Sequence, residues 1–199
     1  MAASLNEYAN TLQHWAQNAA GRIITDVALR DEKTWLIYAK DLSRGVREQI
    51  RNTDTGAVYQ QLLNEQVRLI TSLPLEAAQR IQDLSTRSLI EGVRSSEIAG
   101  LIMATGHVTR SRANTIARTE VSRASCVFTQ ARAVNLGSEG YIWRTSEDGD
   151  VRKDHKDLNG KFIYWDDPPI VDKKYGRRAH AGCDINCRCY AEPVIPEDI

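Results

Sequence analysis

Along the first 136 positions, apolar residues recur at spacings of three and four, as expected for helices with one buried face. Over 4–52 the stripe is Leu5, Tyr8, Leu12, Trp15 and Ala19. Gly21 interrupts it weakly. Trp35, Leu36, Tyr38, Ala39 and Leu42 resume it, and Val46 and Ile50 extend it. Asn52 to Gly56 is a turn cluster. A second helix is predicted over 57–72, with Tyr59, Leu62, Leu63, Val67 and Ile70 on one face. Pro74 should break it, because proline lacks the N–H that a helix interior requires. A third is predicted over 75–93, through Leu75, Ala78, Ile81, Leu84 and Leu89. Ser95 is placed to cap a short helix ending at Gly106. A long helix should then run from Thr109 to Leu136 and stop at Gly137.

The period changes at Gly140. Tyr141 to Thr145 reads as a strand, Glu147 to Asp150 as a hairpin turn, and Val151-Arg152 as the start of the return strand. Lys161 to Trp165 reads as a further strand after the turn Leu158-Asn159-Gly160, and Cys189 to Val194 as a closing one. The fold class predicted is α+β, with a mainly helical N-terminal body and a small C-terminal element rich in hairpins and loops. The division predicted is 1–94 for the helical body and 95–199 for a second domain, made of the helix 109–136 and the β element 140–195.

An apolar content of 42% is enough for a packed core. Lys plus Arg and Asp plus Glu number 26 each, so no global charge draws the chain to nucleic acid or an anionic membrane. Any DNA contact must come from a local patch. No apolar run approaches the ~20 residues that span a bilayer. The first fifteen residues, MAASLNEYANTLQHW, lack the charged and apolar regions of a secretory signal. The expectation is a soluble chain made in a cytoplasm, with no membrane partner. Disulfides are not the default there, yet Cys183, Cys187 and Cys189 fall within seven residues while Cys126 stands alone in a helical pattern.

A β element of ~60 residues buries little apolar area unaided, and such elements commonly carry a metal or disulfide staple. The candidate ligands are His155, His180, Cys183, Cys187 and Cys189. The preferred set is His155, His180, Cys187 and Cys189, with Cys183 as a substitute for His180. Four such ligands in tetrahedral geometry suit zinc. A Cys183–Cys187 or Cys183–Cys189 disulfide is the alternative, as are plain reduced cysteines and a hydrogen-bonded structural His155. Asp148, Asp150, Asp154 and Asp157 lie close by. With His155 they would fit a metal-dependent hydrolase or nuclease. Asp148 and Asp150 flank Gly149 in a turn, however, where Asp is common for backbone reasons, and the non-enzymatic reading is preferred.

The long helix carries Arg110, Arg112, Arg118, Arg123 and Arg132. Arg112 and Arg123 fall near one face and form either a DNA-binding patch or a solvated basic edge. Arg118-Thr119-Glu120 lies among small and apolar residues. Its two charges point to different faces, each expected to reach a separate partner in the β element, with Arg118 as a bidentate anchor.

Several segments occur in a recognisable order: Ile116-Ala117-Arg118-Thr119-Glu120; Trp143-Arg144-Thr145 with Asp148; Val151 to His155; Leu158 to Lys161; Pro168-Pro169; and His180 to Cys189, closing on Glu192-Pro193. Together they resemble the phage Mu F-like family of head morphogenesis and minor capsid proteins, over roughly residues 95–195. The motif positions carried over are Arg118, Thr119, Glu120, Trp143, Asp148, Arg152, His155, Gly160, Cys187 and Cys189. The resemblance implies a minor virion protein inside the phage head, associated with the portal and capsid proteins. It would assist head assembly and DNA packaging or delivery, be present in the host cytoplasm during assembly, and have no small-molecule substrate. Some members are reported to bind DNA, which makes double-stranded DNA a candidate partner.

Overall fold

A computed structural model describes residues 2–41, 44–91 and 95–196. The helices are α1 (Ala2–Thr11), α2 (Gln13–Tyr38), a 3-10 turn (Ala39–Asp41), α3 (Arg44–Arg51), α4 (Gly56–Glu91) and α5 (Ser95–Asn135). Then come β1 (Gly140–Arg144), the single turn α6 (Lys153–Lys156), β2 (Phe162–Tyr164), β3 (Ile170–Asp172), β4 (Arg177–Arg178) and β5 (Tyr190–Val194). The class is α+β, as expected. The chain forms two compact units, each made of two segments: 1–22 with 63–117, and 23–62 with 118–199. The boundary predicted at 94–95 borders residues 92–94, which lie outside the described set.

In the first unit, Ala16, Ala20 and Val67 are buried together, with Leu63 and Ile70 against them. The buried face of α1 and α2 is therefore Ala9, Ala16 and Ala20, one residue on from the predicted stripe, and Tyr8 and Trp15 are exposed. Small side chains let helix backbones approach closely. A stripe chosen by residue size points to the wrong face here.

Pro74 does not break α4, which continues through it. Hydroxyls occupy carbonyls of the preceding turn: Thr71 Oγ1 donates to Val67 O at 3.0 Å and Ser72 Oγ to Leu69 O at 2.8 Å. The proline is itself buried. Nor does Gly106 end a helix; α5 runs on, with Thr109 Oγ1 donating to Thr105 O at 2.8 Å.

The second unit contains the sheet β2-β1-β5, antiparallel throughout. Tyr141 and Trp143 alternate inward from β1 and are fully buried with Ile163, Trp165, Val171, Ala181, Cys187 and Cys189. β3 and β4 form a separate two-stranded ladder. The predicted return strand at Val151-Arg152 is absent; those residues lead into α6. The partner of β1 is instead β2, where Tyr141 lies opposite Ile163 and both face the core. Pairing β1 with 162–164 frees residues 153–156 to form the turn that carries His155.

The turn that stops α5 closes at Gly137, the predicted stop residue. Gly137 has φ +78, its N–H donates to Val134 O, and the N–H of Ser138 donates to Ala133 O, both at 2.9 Å. This paired closure requires the left-handed backbone that glycine adopts without strain.

Candidate metal centre

Three residues from two elements converge on one buried point. α6 brings His155, and the segment before β5 brings Cys187 and Cys189, each no more than about 5% exposed. His155 Nδ1 lies 3.4 Å from Cys187 Sγ and 3.5 Å from Cys189 Sγ. Together these are a three-residue group able to hold a metal ion, its ligand atoms all within 4.8 Å of one another. The loop reaches α5 closely. Gly182 has φ +84, and a Cβ there would stand 3.0 Å from Cys189 O and 3.3 Å from Ser122 O. Ser122 Oγ also donates to Cys187 O at 3.1 Å.

The sulfurs differ. The Cys187 thiol falls to about 4, because it is hydrogen-bonded by the Cys189 thiol, by His155 and by the backbone N–H groups of Cys189 and Gly182, against the effect of burial. The Cys189 thiol is pushed far up by the same bond to Cys187 and by burial.

The opposite ring nitrogen, His155 Nε2, is buried without a hydrogen bond, and Asp184 Oδ2 stands 3.4 Å from it. Asp184 is itself buried and held from two sides, by Arg152 at 2.5 Å and Arg177 at 3.1 Å. Arg152 also donates to Ile185 O. A line of contacts thus runs from Arg152 through Asp184 to His155 and the sulfurs. Trp143 closes one side, its ring edge-on to His155 with centroids 5.7 Å apart. Sequence reasoning missed Asp184. The signal was available in the stretch Cys183-Asp184-Ile185-Asn186-Cys187, an acidic residue three positions before a candidate ligand.

The other expected ligands lie elsewhere. His180 Nδ1 meets the Tyr141 hydroxyl at 3.1 Å, and its ring packs edge-on to Tyr141 and Trp165. Its apolar surroundings lower its pKa. Cys183 shares a hydrogen bond with Cys126, which pushes the Cys126 thiol well up and lowers that of Cys183. All four cysteines are free, so the lone Cys126 of the sequence has a partner after all.

The aspartates singled out beside His155 are occupied by cations. Arg188 reaches Asp148 at 2.8 Å and Asp150 at 3.4 Å, while Lys173 reaches Asp154 at 3.4 Å and Asp157 at 3.0 Å. Gly160 closes the turn before β2, its N–H donating to Trp143 O at 2.8 Å.

On α5, Thr119 bonds the tail: its Oγ1 accepts from Asn186 N at 2.9 Å. Glu120 is buried and pairs with Arg123 at 3.5 Å, and Arg118 is exposed. The predicted Arg118 anchor to the β element is therefore corrected. An exposed guanidinium holds nothing there, and the short threonine hydroxyl suits the close approach of loop and helix. Arg112 belongs to the first unit and pairs with Glu76 at 3.4 Å. Arg132, the last arginine of that helix, is buried against Asp31 at 2.8 Å.

The family described as Phage Mu protein F like protein matches residues 79–192, more than half of the chain and all of this site. The chain belongs to that family. It is a family of phage head morphogenesis proteins. An uncharacterised protein of Haemophilus influenzae (strain Rd) is 30% identical over 129 residues, covering 65% of this chain but 28% of that protein. The chain thus spans less than a third of the length of that relative. No solved structure matches it. Among the described residues, no helix is long and apolar enough to cross a membrane.

Proposed function

We propose that the chain is a non-catalytic minor capsid protein inside the head of a tailed phage or prophage, docked on the portal and aiding assembly and DNA packaging or delivery. The family match over 79–192 carries this reading. The tail supports it chemically. Its conspicuous acidic groups are tied to Arg188, Lys173, Arg152 and Arg177, and both cysteine sulfurs sit in the core, where an attacking nucleophile would have no access to substrate. Its outward sheet face is different. Phe162 and Tyr164 of β2, with Tyr190 and Val194 of β5, are exposed on the strand positions that alternate with the core residues. Exposed apolar side chains gathered on one sheet face, here around the Arg144–Glu192 ion pair, suit a protein contact.

The test is retention of the full chain on immobilised portal protein from the same phage or prophage. Wild type should be retained, and Phe162→Ser with Tyr164→Ser should weaken retention at least tenfold with the circular dichroism spectrum unchanged. Absence of retention of the wild-type chain would overturn portal docking. Double-stranded DNA is not favoured as the partner, since Arg112 and Arg123 each face a carboxylate of their own unit.

A further inference from the structure

We propose that this chain binds one zinc ion through His155 Nδ1, Cys187 Sγ and Cys189 Sγ, with Asp184 orienting the histidine and a non-protein ligand in the fourth position. The inference is independent of the role in the phage head.

Geometry carries it. Zinc–nitrogen and zinc–sulfur bonds of about 2.0 and 2.3 Å at a tetrahedral angle place nitrogen and sulfur about 3.5 Å apart. The observed separations are 3.4 and 3.5 Å. Without an ion this arrangement is poor. A single ring nitrogen faces two sulfurs and has one in-plane position for bonding, so it cannot serve both well. A cation between the three atoms satisfies all of them. Metal on Nδ1 also fixes the tautomer: the proton must sit on Nε2, the buried atom that lacks a hydrogen bond and faces Asp184 at 3.4 Å. Histidine ligands of zinc commonly donate their other N–H to a carboxylate in this way. Two arginines hold that carboxylate in place.

The donor set selects the ion. Two thiolates and an imidazole suit zinc and other thiophilic cations, and not magnesium or calcium, which take oxygen ligands. The coordination stops at three protein ligands, because among the described residues no fourth His, Cys, Asp or Glu joins the group. His180 is turned to Tyr141 and Cys183 to Cys126.

The experiment uses the full chain, purified under reducing conditions and analysed for metal. About one zinc per chain is expected in the wild type, in His180→Gln and in Cys183→Ser. Less than a tenth of that is expected in His155→Ala, Cys187→Ser and Cys189→Ser. Because those three variants can fail to fold, the wild type is also stripped and titrated with cobalt(II) alone. Intense tetrahedral d–d bands with thiolate charge transfer, abolished by adding zinc, support the site. Weak octahedral bands, or no thiolate band, overturn it. Loss of zinc in Cys183→Ser overturns the three-ligand set. Asp184→Asn should weaken zinc affinity by ~10–100-fold, and an unchanged affinity overturns its orienting role.

Discussion

Two tryptophans show how differently the two compact units are built. Trp15 lies in the first unit and is 55% exposed; Trp143 lies in the second and is fully buried. The first unit packs helix on helix through alanines, so a large ring on those helices is left outside. The second encloses its rings around a short sheet and then threads charged groups through the same core. Arg132 and Asp31 are buried as a pair, and Asp184 is buried under the part-exposed Arg152. Size alone therefore does not mark a core position in α1 and the start of α2, where alanines fill the contact.

The largest expected effect contrasts these two residues. Trp143→Ala removes a ring that contacts Tyr141 and His155 and leaves a cavity, at a cost of about 3–5 kcal/mol. Trp15→Ala should change stability by no more than about 0.5 kcal/mol. Urea denaturation of the two variants measures both. Comparable losses would show that the two units are not built differently in this respect.

The same contrast explains what could be read from sequence. The strands around Tyr141-Ile142-Trp143 and Phe162-Ile163-Tyr164 were legible as short aromatic runs between turns, but not which face is inward, because every position in both triplets is apolar. The stop at Gly137 was plain, since it depends on local backbone chemistry. The face of α1 was not, because burial there follows closeness of approach rather than side-chain size. The continuity of α4 through Pro74 was not legible, because a proline in a helical pattern reads as a break. In the site, His155, Cys187 and Cys189 were found by residue type. Excluding His180 and Cys183 required knowing that Tyr141 and Cys126 are their neighbours, contacts made 39 and 57 positions away along the chain.

The next effect probes the buried charge. Arg132→Met leaves Asp31 without its cation, and breaking a buried pair typically costs about 3–5 kcal/mol. The lower end is expected, because burial already raises the pKa of Asp31 and the carboxyl can take up a proton, while Thr129 still donates to it at 2.7 Å. Replacing both, as Asp31→Leu with Arg132→Met, should recover most of the loss. A double variant as unstable as the single one would mean that the arginine is needed for its bond to Ile50 O as much as for its charge.

Pro74→Ala should move the first unit in the opposite direction. Alanine is favoured over proline in a helix interior by about 3 kcal/mol. The buried ring forfeits about two methylenes, roughly 1.6 kcal/mol. A net gain of about 1 kcal/mol follows, read as a rise in the urea midpoint. A loss instead would show that ring packing outweighs the missing hydrogen bond, and that this unit too depends on a shaped core.

The smallest effect is a dependence on pH confined to the second unit. Burial lowers the pKa of His180 in the folded chain below its ordinary 6.5. The unfolded chain therefore takes up the proton first as pH falls, and stability contributed by neutral His180 is present above about pH 6.5 and lost below it, down through the lowered folded value. The half-buried ring is screened by water, so only a shallow slope is expected. His180→Gln keeps an acceptor for the Tyr141 hydroxyl while removing the titration. Urea midpoints measured between pH 8 and pH 5 should fall less for His180→Gln than for the wild type. Equal slopes would assign the acid sensitivity to other groups.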